Sequence, residues 1–401
     1  MEMPKTHFDC IQYLRPELLI EAKKDVKELL NIDRKSPILS IDEYENRLNS
    51  YLEKVINDTL QVAADNIGVS LNFIKNNIDD LPEFFKNHLF ALGSTINYEY
   101  HFIVNFLLAG RKTFFFSDAI SQKLLHTEIN VPAKEIQLPF FSCQLVFTER
   151  EIIDAFYTKA LKDNPDLTVD YSCPISVFVT LFDDCDELDG RRIIFNSYHS
   201  KYPDTIFLMQ KRELFLGNDW NLEQSLRTDW ENLTPNNLGY GSFYNDGNIS
   251  KLDDDLFYTD GLLFYRIILN AILYVISSKA DFPKKESQIR KIEKKIANTK
   301  SFLKKERLNQ ETKAISSLDY FEVGLSEQQI ILKNQHDNEN SESVDYSRLD
   351  RKILRRFMVR GHWRNQRYGS GLTETKLIWI KPYIKGDELA EVINKPYVIK
   401  E

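Results

Sequence analysis

Residues 175–209 read ISVFVTLFDDCDELDGRRIIFNSYHSKYPDTIFLM. Three apolar runs stand here within thirty-five residues: Ile175–Phe182, Arg191–Tyr198 and Thr205–Met209. They are rich in β-branched and aromatic residues, which fit a pleated surface. Asp189-Gly190 between the first two is a hairpin signal, because both central positions of a tight primed turn need a positive φ. The links are too short for crossover helices, so the strands must run antiparallel. The spacing therefore predicts an antiparallel meander, and with it an α+β fold.

The chain around the meander divides by period. Residues 1–110 read as a helical region, with Leu18, Leu19, Ala22, Val26, Leu29 and Leu30 at helical spacing after Pro16. Ser40 or Asp42 stands ready to cap a second helix, carrying Tyr44, Leu48, Tyr51, Leu52, Val55 and Ile56 on one face. A third, from about Pro82 to Leu108, is expected to be mostly buried. Residues 111–283 read as the α+β core: a helix at Ser117–His126, a strand within Ile136–Phe147, a helix at Glu149–Leu161, the meander, and a core helix at Leu252–Ser278. Residues 284–347 begin with a basic stretch, Lys284–Arg307, whose Ile289, Ile292 and Ile296 give one apolar helical stripe. They end in an acidic linker, His336–Ser347.

Residues 348–401 form an Arg- and Trp-rich C-terminal segment, read as a β-hairpin. Arg348–Lys385 holds eleven basic and two acidic residues, in a chain of 52 basic and 60 acidic residues with a net charge of −8. A cationic segment thus sits on an otherwise acidic protein, which disfavours indiscriminate DNA coating and favours a local contact with nucleic acid. Arg355, Arg356, Arg360, Arg364, Arg367 and Lys376 are the candidate phosphate contacts. His362, Trp363 and Trp379 are candidate stacking faces, and Gly361, Gly369 and Gly371 are candidate turn residues. The competing reading is a hairpin whose arginines pair with the acidic body while its tryptophans fill the core.

Other motifs carry less. Val62–Lys75 has the spacing of a helix-turn-helix, with Ala64, Gly68 and Ser70 at the approach, turn and cap, and Asn72, Lys75, Asn76 and Asn77 on the second helix. Asp65, Asp79, Asp80 and Glu83 would repel phosphates there. Asp183, Asp184, Asp186, Glu187 and Asp189 invite a divalent metal or, more simply, a solvated hairpin tip. The seven histidines form no HExxH or HxH pair, and there is no GxSxG elbow, P-loop or CxxC pair. No metal site and no cofactor is implied. His362 between Arg360 and Arg364 is the one candidate acid or base, for RNA cleavage. The most apolar run, Leu262–Ile276, is too short to span a bilayer and holds Arg266 and Asn270, so a buried helix and a cytoplasmic protein without membrane contact are expected.

The motif Arg360-Gly361-His362-Trp363, the turn Gly369-x-Gly371, Lys376, and Trp379 followed by Pro382 resemble the ending of a type V-A anti-CRISPR family, the AcrVA-two proteins and their phage- and plasmid-borne relatives. The resemblance extends loosely over residues 105–400. This chain departs from it in its N-terminal helices and its basic insertion at 284–307. The resemblance implies a regulator from a mobile element that suppresses production of a target protein. It would recognise a nascent polypeptide at the ribosome and drive decay of its mRNA, with RNA or the ribosome as partner. The alternatives, a ribonuclease using His362 and a helix-turn-helix DNA-binding regulator using residues 62–77, stay open at this point.

Overall fold

A computed structural model describes residues 2–33, 36–38, 45–183, 190–203, 205–231, 262–277, 283–327, 355–385 and 391–392. The elements in chain order are α1 His7–Leu14, α2 Pro16–Asn31, α3 Glu45–Ile67, α4 Leu71–Asn76, α5 Glu83–Leu108, β1 Thr113–Phe116, α6 Asp118–Leu125, β2 Thr127–Glu128, β3 Ser142–Phe147, α7 Arg150–Asp163, β4 Ile175–Phe182, β5 Gly190–Lys201, β6 Thr205–Gly217, α8 Leu222–Glu231, α9 Leu263–Ser277, β7 Lys284–Lys285, α10 Ile289–Asn298, α11 Phe302–Ala314, β8 Tyr320–Val323, β9 Arg355–Val359, β10 Gly361–Tyr368, β11 Glu374–Ile380, β12 Tyr383–Lys385 and β13 Glu391–Val392.

The fold is α+β, and the meander is its spine. β3, β4, β5 and β6 pair antiparallel in sequence order within a seven-stranded sheet ordered β6-β5-β4-β3-β1-β8-β7. The far side differs from the antiparallel expectation: β1 lies parallel to both β3 and β8. β1 is only Thr-Phe-Phe-Phe, all buried. Such a run carries no alternation by which to read it from sequence. β3 occupies only Ser142–Phe147 of the expected Ile136–Phe147 region, and residues 136–141 before it are irregular.

Successive strand residues enter opposite cores, as a period of two requires. Phe114 and Phe116, Leu145 and Phe147, and Val177 and Val179 face one cluster with α6, α7 and α9. Phe115, Val146, Phe178 and Tyr198 face another with α1, α2 and α5. Every residue of β4 is buried. A strand covered on both faces reads as a continuous apolar run, which is what residues 175–182 are.

The helices largely follow expectation, with three corrections. Only the second half of α5 is deeply buried, through Ile96, Tyr100, Phe102, Ile103 and Phe106, whereas Phe84 and Phe90 near its start are exposed. The basic stretch at 284–307 is not one helix. It is a short strand followed by two helices, α10 and α11, broken at Thr299-Lys300-Ser301. The core helix runs Leu263–Ser277, and residues 252–261 lie outside those described, as do Ser40, Asp42, the linker 336–347, and Asp184, Asp186, Glu187 and Asp189 of the acidic cluster. Among the described residues, no helix is long and apolar enough to cross a membrane.

The N-terminus is tied to the sheet by polar bonds. Asp9 accepts from Thr6 N–H at 2.9 Å and from the Ser317 N–H and Oγ–H at 2.8 and 2.7 Å. His7 stacks on Tyr198 at 3.7 Å, with Nδ1 2.7 Å from Ser200 Oγ and Nε2 3.2 Å from Glu99, which also pairs with Arg15. Burial pushes the His7 imidazole below its usual range even though Glu99 pulls the other way.

Candidate nucleic-acid interface

The C-terminal segment forms the expected hairpin. β10 and β11 pair antiparallel from His362↔Ile380 to Tyr368↔Glu374. The turn between them uses Gly369 and Gly371 at φ +81° and +71°, a region side chains rarely adopt. One feature lies beyond the sequence reading: β10 also pairs parallel with β2, making a three-stranded sheet β11-β10-β2. Through β2 the hairpin is fixed to the body.

Arg360, Gly361, Trp363 and Trp379 make that attachment. Gly361 donates its N–H to His126 O at 2.9 Å. A Cβ at this position would lie 2.7 Å from Thr127 Oγ1, 2.7 Å from Pro382 Cδ and 3.0 Å from Ile380 O, so only glycine fits between the two neighbouring strands. Arg360 reaches Glu128 at 3.7 Å. Trp363 is 6% exposed and donates its indole N–H to Asn270 Oδ1 at 2.9 Å. Trp379 donates to Thr127 Oγ1 at 3.1 Å, lies 6.1 Å from Trp363 ring to ring, and meets Tyr274 edge-on at 5.2 Å.

Asn270 completes this arrangement from the centre of α9. Its amide donates to Leu124 O at 3.2 Å and Thr127 O at 2.8 Å, while its carbonyl takes the Trp363 indole. A buried amide with these partners is satisfied on both its donor and acceptor sides, and the polar residue in the apolar run is thereby explained. Its neighbour His126 is held below its ordinary pKa by burial first. Glu151 opposes that shift and Arg360 adds to it.

Trp363 therefore offers no stacking face to a base, because its ring is enclosed and its N–H is used. Alternation along β10 puts His362, Arg364, Gln366 and Tyr368 on the other face, and across from them Ile380, Ile378, Lys376 and Glu374 of β11. His362 and Arg364 are exposed, Arg364 bonds Gln366, and Lys376 lies 5.2 Å over the Tyr368 ring. Arg367 is exposed on the opposite face, paired across to Thr375. Arg364 and Arg367 are thus brought to one hairpin but not to one surface. Arg355 and Arg356 sit in β9, between β12 and β13, with side chains outside those described. Lys381 instead pairs with Glu327, which Lys123 also holds at 2.7 Å. Burial works to raise the Glu327 carboxyl, but the two ammonium groups outweigh it and keep it below the usual carboxylate range.

Ser70 caps α4 by accepting from Phe73 N–H at 3.2 Å, and Gly68 makes the turn at φ +72°. α4 has six residues, ending in a 3₁₀ turn that carries Asp79 and Asp80. A recognition helix that short presents Asn72, Lys75 and Asn76 over less than two turns. Among the described residues, no group of three or more His, Cys, Asp or Glu is placed to hold a metal ion.

Comparisons with known proteins bear on the segment from β1 to β12. The profile of the AcrVA2-like family, described as "Anti-CRISPR type V subtype A2 family", matches residues 115–386, about two thirds of the chain. A structure titled "Crystal structure of AcrVA2" aligns over 85% of this chain and 98% of that chain, at 10% sequence identity and a TM-score of 0.30. No curated protein matches the chain.

Proposed function

The chain belongs to the AcrVA2-like family of anti-CRISPR proteins, and from that premise we propose that it acts by binding RNA or the ribosome through the outer face of its C-terminal hairpin. The family gives the coarse role, an anti-CRISPR-like protein. The finer reading is that a target polypeptide, met as it is synthesised, is held by the α+β body while the hairpin contacts RNA, so that expression of the target is suppressed in the cytoplasm.

The observation that supports this is the separation of the hairpin into two faces. The inner face is consumed by Trp363, Trp379 and Gly361 in fixing the hairpin to the body. The outer face keeps His362, Arg364 and Lys376 exposed on an acidic protein, with Arg367 exposed near the tip. Cations on a rigid strand pair suit phosphates better than cations on a loop, because their spacing is set before binding. Tyr368, exposed beside Lys376, takes the stacking role that Trp363 cannot fill.

The test is RNA binding by the purified chain against salt, wild type beside Arg364→Ala/Arg367→Ala/Lys376→Ala. The expected result is a shallower salt dependence, by about 0.7 in slope for each phosphate that is no longer neutralised. RNA affinity unchanged at every salt concentration would sink the proposal. A second reading keeps one observation of its own: His362 is exposed beside Arg364 on the outer face. If the chain cleaves RNA, His362→Ala abolishes cleavage and leaves binding nearly intact.

A further inference from the structure

Two surfaces far apart in sequence expose large apolar side chains, and their charges are opposite. The first is the small helical lobe made by the end of α3, α4 and the start of α5. Its own core holds only Leu60, Ala64, Ile74 and Leu89 as buried members, with Ile56, Val69, Leu71, Leu81 and Phe85 half covered around them. Val62, Ile67, Phe73, Ile78 and Phe84 are exposed on the same lobe, Phe84 by 75%. Residues 56–90 hold five acidic residues and two basic ones, and Glu83 next to Phe84 is among the acidic. The second surface is the tip of the α10–α11 hairpin. Phe302 and Leu303 are each 77% exposed there. Residues 289–307 hold eight basic and two acidic residues, and Lys300 and Lys304 on either side of the Phe-Leu pair are exposed.

An exposed cluster of aromatic and branched side chains rimmed by charge marks an interaction surface rather than an ordinary piece of solvated helix. Each of these two surfaces lacks what the other carries. The acidic rim of the lobe repels nucleic acid and repels a second lobe, and the basic rim of the tip repels a second tip. Both are exposed within one copy, so they do not cover each other there. From this complementarity we infer that the chain forms a two-fold homodimer in which the Phe302–Leu303 tip of each copy docks on the Phe73–Phe84 lobe of the other. A two-fold axis makes the contact twice and closes the assembly at two chains. The apolar pairs supply the affinity, and the rims set the register and the salt dependence. The interface lies outside the hairpin β10–β11, so the proposal stands or falls independently of RNA binding.

The experiment is analytical ultracentrifugation of the nuclease-treated full chain from about 1 to 200 μM, the range in which a contact of this kind shows its equilibrium. Wild type is expected to move from one to two chains, with the dimer weakened as salt rises from about 50 to 500 mM. Phe73→Ser/Phe84→Ser and Lys300→Glu/Lys304→Glu alter only exposed side chains, so each is expected to keep its fold by circular dichroism and to stay monomeric. Mixing the two variants is the deciding measurement. A mixed pair joins the intact tip of one to the intact lobe of the other, so dimer reappears with one interface of two and a weaker affinity. Three outcomes would overturn the proposal: monomer at every concentration, a dimer that both variants retain, or no dimer on mixing. Oligomers that keep growing with concentration would overturn the two-fold closure.

Discussion

The two faces of the β10–β11 hairpin are built from neighbouring residues and do opposite work. Trp363 and Trp379 face inward, each with its indole N–H bonded, one to Asn270 and the other to Thr127. His362, Arg364 and Lys376 alternate with them and face solvent. The motif Arg360-Gly361-His362-Trp363 is therefore three parts attachment and one part surface. Arg360 pairs with Glu128, Gly361 lets two strands approach, Trp363 bonds α9, and only His362 is turned outward. A motif can mark where a site is held as much as where it acts.

That division can be broken from either side. Trp363→Ala should have the largest effect, a drop of about 3–5 kcal/mol in unfolding free energy, because it empties a buried ring volume and strands the Asn270 carbonyl. Trp363→Phe keeps much of the volume but not the bond, and should cost about 1–3 kcal/mol. Denaturant melts measure both, and a Trp363→Phe variant as stable as wild type would mean that the Asn270 bond contributes nothing. Gly361→Ala should cost about 1–3 kcal/mol by overpacking against Thr127 and the Ile380 carbonyl. It should also loosen the hairpin, seen as faster amide exchange along β10. The outer-face double variant Arg364→Ala/Lys376→Ala should change stability by no more than about 0.5 kcal/mol, since these side chains are exposed. A larger drop there would erase the distinction between the faces.

The smallest effect concerns protons. Burial holds His126, directly behind the hairpin, below the ordinary histidine value of 6.5. The unfolded chain then binds a proton at a pH where the folded chain does not. Its contribution to stability is complete above pH 6.5 and is lost as pH falls through the folded value. Titration of the His126 ring by NMR should give a midpoint below 6.5. A midpoint at or above 6.5 would mean that water reaches the ring and that the hairpin is not closed over it.

Sequence reasoning reached the meander because its signals are local: apolar runs of strand length, short links and an Asp-Gly pair. β1 escaped it because four consecutive buried residues have no period. The pairing of β1 with β8 joins residues about two hundred positions apart, and no local pattern encodes that. The hairpin was legible as a hairpin, and the reading in which its tryptophans fill the core was one of two left open, which the structure bears out for Trp363 and Trp379. Aromatics interleaved with cations look like one mixed surface in a linear reading. In a strand, interleaving means two surfaces, and the alternation of Trp363 with His362 and Arg364 already carried that signal. Asn270 in the apolar run was the second available clue, since a buried amide must find partners. Nothing local could say that one partner is an indole 93 positions away.

That separation also sets an order of assembly. Trp363 bonds a helix 93 residues upstream, and Trp379 bonds a strand 252 residues upstream. Contacts of such span repay the entropy of closing their loops only once the elements they join already exist. α6, β2 and α9 precede the hairpin in the chain and can settle while it is still growing, and the hairpin docks on them once residues 361–380 have been made. The cationic face is thus added to a body already formed, and a copy truncated before residue 363 would fold that body without it.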